Sequence, residues 1–435
     1  MPVVAGLTLL ASGRAVVAGG TPAASYPARR AAALARLDSR LLIVPSQTSF
    51  KGDDQAGFQQ ATDFYYFTGL GDVVGSVLIL DGASRSATLF LPRPNPAITR
   101  PASPTPGFDQ VLPVDSLDFW IRRRFPAASG VLVSPNDARG QVRTPAPMAG
   151  TVARWEQHLR NLGWSREVGS GLEVTRPLRE IKDADEIATL SRVGAMSGTA
   201  MLAGIRALKP GIRQRQAEAK VIQSCLEAGG RHSFWPWTMS GPHAVFTDLF
   251  NSFVDYEGHD RVMRAGEVVR VDVGCQTGHY MGDVGRTAPV SGRFSPGQRE
   301  AWNLFIAGYR AGLTALKDGA KTTDVYQAAL AKVRATAPSL TTAEGKKAAE
   351  ILLGPNGTDA WEIHGVGLDD AEGMPAVLKA GMTVAYELMF MVDGDGFYLE
   401  DMIVIEPNGY RLLTPGLPYT AVEIEATMAR APTRR

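Results

Sequence analysis

The chain has 435 residues, 45% of them hydrophobic and 20% charged, a globular composition long enough for two domains of ordinary size. Its 45 Lys and Arg against 44 Asp and Glu leave a net charge of +1, which offers no basic footprint for a nucleic-acid partner. Two cysteines cannot build a disulfide framework or a zinc ribbon, and no run reaches the ~18 apolar residues of a membrane span.

Residues 1–25, "MPVVAGLTLLASGRAVVAGGTPAAS", are apolar and rich in small side chains, like the core of an export signal. They lack a basic start, and Arg14 interrupts them. Two readings stand: a cytoplasmic protein with a disordered leader, or an exported one whose leader is a signal peptide. From Tyr26 the pattern is regular. "PARRAAALARLD" predicts a helix, "RLLIVP" a buried strand, and "GSVLILDGASRSATLFLP" a hairpin around Asp81-Gly82. The Pro-rich stretch at 92–107 reads as a loop. A helix near 114–124, a strand in "GVLVSP" and a helix in "TVARWEQHLRNLG" complete an alternation expected of one α/β domain over 26–172.

A second domain is expected over 173–425, with a tail at 426–435. It opens with one long amphipathic helix in "LREIKDADEIATLSRVGAMSGTAMLAGIRAL", ending at Pro210-Gly211. Further helices are expected in "RQAEAKVIQSCLEAGG", "PGQREAWNLFIAGYRAGLTAL" and "TTDVYQAALAKV", interspersed with strands.

Two hairpins in this half carry acids where a strand pair should not want them. In "VRVDVGCQTGHYMGDVGRT", a turn at Thr277-Gly278 sets Asp272 directly opposite Asp283. In "VAYELMFMVDGDGFYLEDMIVI", a turn at Asp393-Gly394 sets Glu387 opposite Glu400, whereas a turn at Asp395-Gly396 would set Glu387 opposite Val404. Facing Cβ atoms lie about 4.5–5.5 Å apart, and like charges there repel. A single such pair is ordinarily a solvated hairpin face. Two pairs among apolar neighbours ask for cations, because unpaired buried charge is heavily penalised. Arg286 is near enough in sequence to serve, but four carboxylates match two divalent ions. Of the six histidines (158, 232, 243, 259, 279 and 364), His364 in the glycine-rich "WEIHGVGLDD" is the candidate imidazole ligand. One imidazole among carboxylates tilts a site toward Mn²⁺, Co²⁺, Fe²⁺ or Zn²⁺. A two-ion site activates water and polarises a carbonyl, so hydrolysis is the expected reaction class.

The stretches "VDVGCQTGHYMGDVGRTAPVSGRFS", "IHGVGL", "AGMTVAYE" and "LEDMIVI" resemble the pita-bread metallopeptidases, from "LREIKDADEI" to about residue 415. The resemblance implies an α+β pita-bread (creatinase/aminopeptidase) catalytic domain behind the α/β N-terminal one. It also implies metal ligands at Asp272, Asp283, His364, Glu387 and Glu400. "ATDFYYFTGL" followed by "GSVLIL" is similar to the smaller domain of aminopeptidase P and prolidase. That implies an Xaa-Pro peptidase with two divalent ions, Mn²⁺ first, with Co²⁺ or Zn²⁺ as substitutes. It further implies Glu387 as general base, short proline-containing peptides as substrates, and a homodimer or homotetramer. Thr287 matches a position that hydrogen-bonds a ligand.

Three positions depart from the family pattern. A histidine expected after "SGP" falls on Asp248, with His243 nearby but out of register. A second, seven residues after the metal histidine, falls on Ala371. An arginine two before the last glutamate falls on Tyr398. Asp248 and His243 are therefore candidate substrate contacts, with Asp248 suited to the free amine of a dipeptide, which favours prolidase over aminopeptidase P. Tyr398 is the candidate catalytic donor to the tetrahedral oxygen. The alternatives are another C–N hydrolase on the same scaffold and a non-catalytic binding module.

Overall fold

The computed structural model describes residues 25–48, 58–93, 107–135, 150–244 and 255–429. The leader, most of the Pro-rich stretch, Asp248 and the last six residues lie outside the described residues.

The first unit is built on a six-stranded mixed sheet ordered β4-β3-β2-β1-β5-β6. Its strands are β1 (Leu41–Pro45), β2 (Val77–Asp81), β3 (Ser86–Leu91), β4 (Gln110–Pro113), β5 (Val131–Val133) and β6 (Val168–Ser170). The helices are α1 (Ser25–Leu34), α2 (Thr62–Thr68), α3 (Leu117–Arg124) and α4 (Thr151–Asn161). The expected hairpin forms, with Val77 pairing Phe90 and Asp81 pairing Ser86. Asp81 closes its loop by accepting hydrogen bonds from the Ala83 and Ser84 amides.

The single long helix expected from "LREIKDADEI" is two helices, α5 (Leu172–Arg179) and α6 (Ala184–Ala207). Asp183 explains the break. Its side chain accepts from the Glu186 amide at 2.8 Å, and the Glu186 carboxylate accepts from the Asp183 amide at 3.0 Å. This reciprocal cap starts a new helix at Ala184.

The second sheet is antiparallel and seven-stranded, in the order β13-β14-β15-β12-β9-β8, with β16 (Gly409–Leu412) paired to β15. Its strands are β8 (Trp237–Ser240), β9 (Val268–Val273), β12 (Val284–Pro289), β13 (Trp361–Gly365), β14 (Thr383–Val392) and β15 (Asp395–Glu406). Three short strands, β7 (Arg231–His232), β10 (Cys275–Thr277) and β11 (Tyr280–Met281), form a small separate sheet. One face of the large sheet supplies Val269, Val271, Val273, Phe390 and Leu399 to the main core. Against them pack side chains of α6, α7 (Gln214–Glu227), α8 (Pro296–Leu313), α9 (Thr322–Thr336) and α10 (Ala343–Leu353). A closing helix, α11 (Ala421–Ala429), packs beside α6. Alternation along each strand turns Arg270, Asp272, Tyr398 and Glu400 to the opposite face.

The two hairpins differ in how well their turns were foreseen. At Asp393-Gly394, φ is 50° and 90°, and Glu387 pairs with Glu400 as expected. The other turn sits one residue later than expected. Gly278 and His279 both have positive φ, 55° and 66°, and Thr277 pairs with Tyr280. Two positive φ values mark the turn type that suits a hairpin's twist, and histidine tolerates that region better than most residues. The His279 ring also lies 4.2 Å from that of Tyr65 on α2, which anchors the turn. The register therefore moves by two, and Asp272 faces Gly285 instead of Asp283. A shift of two leaves every side chain on its own face, so both aspartates still belong to the face of Arg270 and Glu400.

Candidate metal centre

Strand register lays the site out as a line across the sheet. Glu362, Glu387, Glu400, Gly285, Asp272 and Trp237 are successive partners on β13, β14, β15, β12, β9 and β8. His364 follows Glu362 by two residues on β13, opposite Ala385, which itself faces Met402. Asp283 precedes Gly285 by two residues, just before β12. Ligand atoms of Asp283, His364 and Glu400 lie within 4.8 Å of one another, and so do those of Glu362, His364 and Glu387. Asp272, Asp283, His364, Glu387 and Glu400 are each at most 8% exposed, so water does not screen them.

Their charges collide as a consequence. Burial, then the charges of Glu400, Asp272 and Asp370, push the Asp283 carboxyl well above the usual carboxylate range. Burial would raise Glu400 too, but the neighbouring His364 imidazole, with help from Tyr398 and Asp283, holds it below its ordinary value. Burial lowers the His364 imidazole, yet Glu400, Glu387 and Glu362 override it and raise the group to about 9. His364 Nδ1 faces the Gly365 carbonyl at 3.1 Å and can only donate there, which leaves Nε2 to the acids. Nε2 faces Glu400 Oε1 at 3.4 Å, and neither atom has a hydrogen-bond partner among the described residues. Two orphaned polar atoms at 1% and 0% residue exposure, inside a ring of carboxylates, fit a divalent cation that takes the place of the imidazole proton. Oxygen donors with one imidazole suit Mn²⁺, Co²⁺, Fe²⁺ or Zn²⁺.

Residues 188–407 match metallopeptidase family M24, and residues 26–118 match the aminopeptidase P N-terminal domain. The chain belongs to metallopeptidase family M24. Xaa-Pro aminopeptidase 2 of Streptomyces coelicolor is 27% identical across 92% of this chain and 90% of its own length. Mouse Xaa-Pro aminopeptidase 3 is 22% identical across 90% of this chain and 81% of its own. The fold is similar to that of a putative aminopeptidase P from Bacillus anthracis, with a TM-score of 0.78 at 20% identity over 93% of this chain and 98% of the other.

This M24 chain is thus a metallopeptidase, with an aminopeptidase P-type N-terminal domain ahead of a pita-bread catalytic domain. The N-terminal unit touches the loop after His364 directly: Thr62 Oγ1 on α2 donates to Asp369 Oδ1 at 3.0 Å. Arg179 on α5, buried, donates to Asp63 Oδ1 on α2 at 2.9 Å, to Asp369 Oδ2 at 2.9 Å and to Glu372 Oε1 at 2.5 Å. Lys182 donates to Glu372 Oε2 at 2.7 Å. This network clamps the turn that follows His364, where the expected second histidine is Ala371.

Other expected residues sit differently from their assigned roles. The Tyr398 hydroxyl donates to Glu400 Oε2 at 2.6 Å, so it is committed to a carboxylate instead of being free for a substrate oxygen. Thr287 does not bond a ligand carboxylate: its Oγ1 donates to the Tyr398 carbonyl at 3.1 Å and accepts from the Tyr398 amide at 2.7 Å. His243 lies on a short helical turn with Nδ1 at 3.1 Å from the His259 carbonyl. Arg286, considered as a neutralising cation, is on the other face, donating to Asp401 Oδ1 at 2.8 Å. The arginine on the acid face is Arg270, which donates to Asp272 Oδ2 at 2.9 Å. The sequence reading passed over Arg270, Glu362 and Gly285. The first two were legible from spacing, each two residues from an expected ligand and so on its face.

Proposed function

We propose that the chain is an Xaa-Pro aminopeptidase that uses two divalent ions held by Asp272, Asp283, His364, Glu387 and Glu400. The observation that carries this is the buried acid line with its orphaned imidazole, in a chain whose full-length relatives are named Xaa-Pro aminopeptidases. Those names displace the preference for a dipeptidase, which rested on Asp248 alone. Bound ions would activate water and polarise the scissile carbonyl. Glu387, which pairs with Glu400 and Glu362, would take the proton of the attacking water. Short proline-containing peptides are the substrates, Mn²⁺ the first ion to try, and a homodimer or homotetramer the expected assembly.

The test is a panel of Ala-Pro and Gly-Pro dipeptides and Xaa-Pro-Yaa tripeptides, assayed with chelated and Mn²⁺-reloaded protein. Cleavage of tripeptides before proline, lost on chelation and restored by Mn²⁺, is the expected result. Cleavage of dipeptides alone would restore the dipeptidase reading. No cleavage by ion-loaded protein would refute the peptidase assignment of substrate.

A further inference from the structure

Arg270 is a buried cation inside a cation-binding site, and its surroundings say why it is there. It is 1% exposed and donates from Nη2 to Asp272 Oδ2 at 2.9 Å. Its guanidinium carbon lies 4.4 Å from the centre of the Tyr398 ring. The Tyr398 hydroxyl, in turn, donates to Glu400 Oε2 at 2.6 Å. Arg270 and Tyr398 belong to strands separated by β12, and the ring crosses the gap because position 285 is glycine. A Cβ there would lie 1.9 Å from Tyr398 Cε1. Thr287 holds the Tyr398 backbone from the same strand, by both its amide and its carbonyl.

We propose that Arg270 and Tyr398 act as one positioning unit: together they fix one oxygen of Asp272 and one of Glu400, and so aim the other oxygens at a divalent cation. A carboxylate free to turn about its last bond presents either oxygen or both. Charge-assisted hydrogen bonds to Oδ2 and Oε2 remove that freedom, and Glu400 Oε1 then faces His364 Nε2. The stacked pair makes the two ends cooperate, since the guanidinium plane seats the ring and the ring seats the guanidinium. Arg270 cannot be explained as charge neutralisation alone. A fixed positive charge repels the ion, so by Coulomb attraction alone its loss would tighten metal binding.

That opposition of sign supplies the test, which rests on the ligand set proposed above. Full-length protein is stripped with chelator and titrated with Mn²⁺, the free ion being followed by electron paramagnetic resonance. The variants are Arg270→Met, Arg270→Lys, Tyr398→Phe and the Arg270→Met/Tyr398→Phe pair. Arg270→Met and Tyr398→Phe should each weaken Mn²⁺ binding about 10–100-fold, as loss of a group orienting a ligand does. Arg270→Lys should recover part of the loss, and the double variant should fall short of the product of the two singles. Unchanged or tighter binding by folded Arg270→Met, or fully multiplicative losses in the double variant, would overturn the proposal. Should Arg270→Met not fold, Tyr398→Phe, which keeps the ring, decides by the same criterion of weaker against unchanged binding. Wild-type protein that takes up no Mn²⁺ would instead refute the ligand set itself.

Discussion

Cys225 on α7 and Cys275 on β10 form a disulfide across 50 residues of chain, with Cα atoms 5.4 Å apart and both side chains fully buried. The link joins a helix of the core to the strand that begins three residues after Asp272. On the chain-entropy account, closing a loop of 50 residues removes about 14 cal/mol/K from the unfolded ensemble, or about 4 kcal/mol at 25 °C. Reduction should therefore lower the unfolding free energy of the catalytic domain by roughly that amount, a drop of about 8–16 °C in midpoint for a domain of this size. The clean comparison is the same chain oxidised and reduced, since substitution would also remove buried sulfur. Thiol titration in denaturant should find no reactive thiols before reduction and both cysteines after it, and unfolding curves give the energy. Two thiols reacting in denatured, unreduced protein would refute the cross-link. A cross-linked protein that loses under 1 kcal/mol on reduction would refute the entropic reasoning. Because such bonds persist mainly in oxidising compartments, a positive result also favours the export reading of residues 1–25. No helix among the described residues is long and apolar enough to cross a membrane.

Three shorter predictions follow the geometry of the site and its surroundings. Asp283→Asn should lower Mn²⁺ content measured by elemental analysis after reloading, and a variant that binds as much as wild type would remove Asp283 from the ligand set. Gly285→Ala should displace the Tyr398 ring and destabilise the protein by about 3 kcal/mol through overpacking and the lost Glu400 hydrogen bond; adding Tyr398→Ala should recover part of it, and wild-type stability in Gly285→Ala would contradict the close approach. Burial raises the Glu218 carboxyl to about 7 despite hydrogen bonds from Tyr256, Thr238 and Trp235, so its stabilising effect is complete below the unfolded value near 4.5 and fades as pH rises through 7. Stability measured between pH 5 and 8 should fall more steeply in wild type than in Glu218→Gln, and parallel curves would contradict that.

Most helices and the paired strands were legible because their signals are local. The Asp393-Gly394 turn is a strong dipeptide, and of the two turns open to that hairpin it is the one the chain uses, which sets Glu387 against Glu400. The Gly278-His279 turn was missed because Thr277-Gly278 satisfies the same local preference. What favours the later turn is the packing of the His279 ring against Tyr65, a contact across more than 200 residues that no window of sequence contains. The break between α5 and α6 was local and legible: Asp183-x-x-Glu186 is a capping signature, hidden inside a charged run that also reads as the start of a helix.

The assignment of cations shows where parity decides what proximity cannot. Arg270 stands two residues from Asp272 and Arg286 three from Asp283, so nearness in sequence hardly separates them. Strand alternation favours Arg270. Arg270 is an even number of residues from Asp272 and shares its face, whereas Arg286 is an odd number from Asp283 and must face away. Each then finds an acid on its own side, Asp272 for Arg270 and Asp401 for Arg286. Asp401 in turn sits beside Glu400 in sequence and behind it in space. Tyr309, Thr414 and Tyr419 hydroxyls hold it alongside Arg286. The same sheet therefore carries a saturated ion pair toward the core and an unsaturated acid cluster on its other face. The first needs nothing further, because every charge has a partner within the fold. The second leaves His364 Nε2 and Glu400 Oε1 facing each other at 3.4 Å with no hydrogen-bond partner among the described residues, and that asymmetry between the faces marks this side as the candidate metal centre.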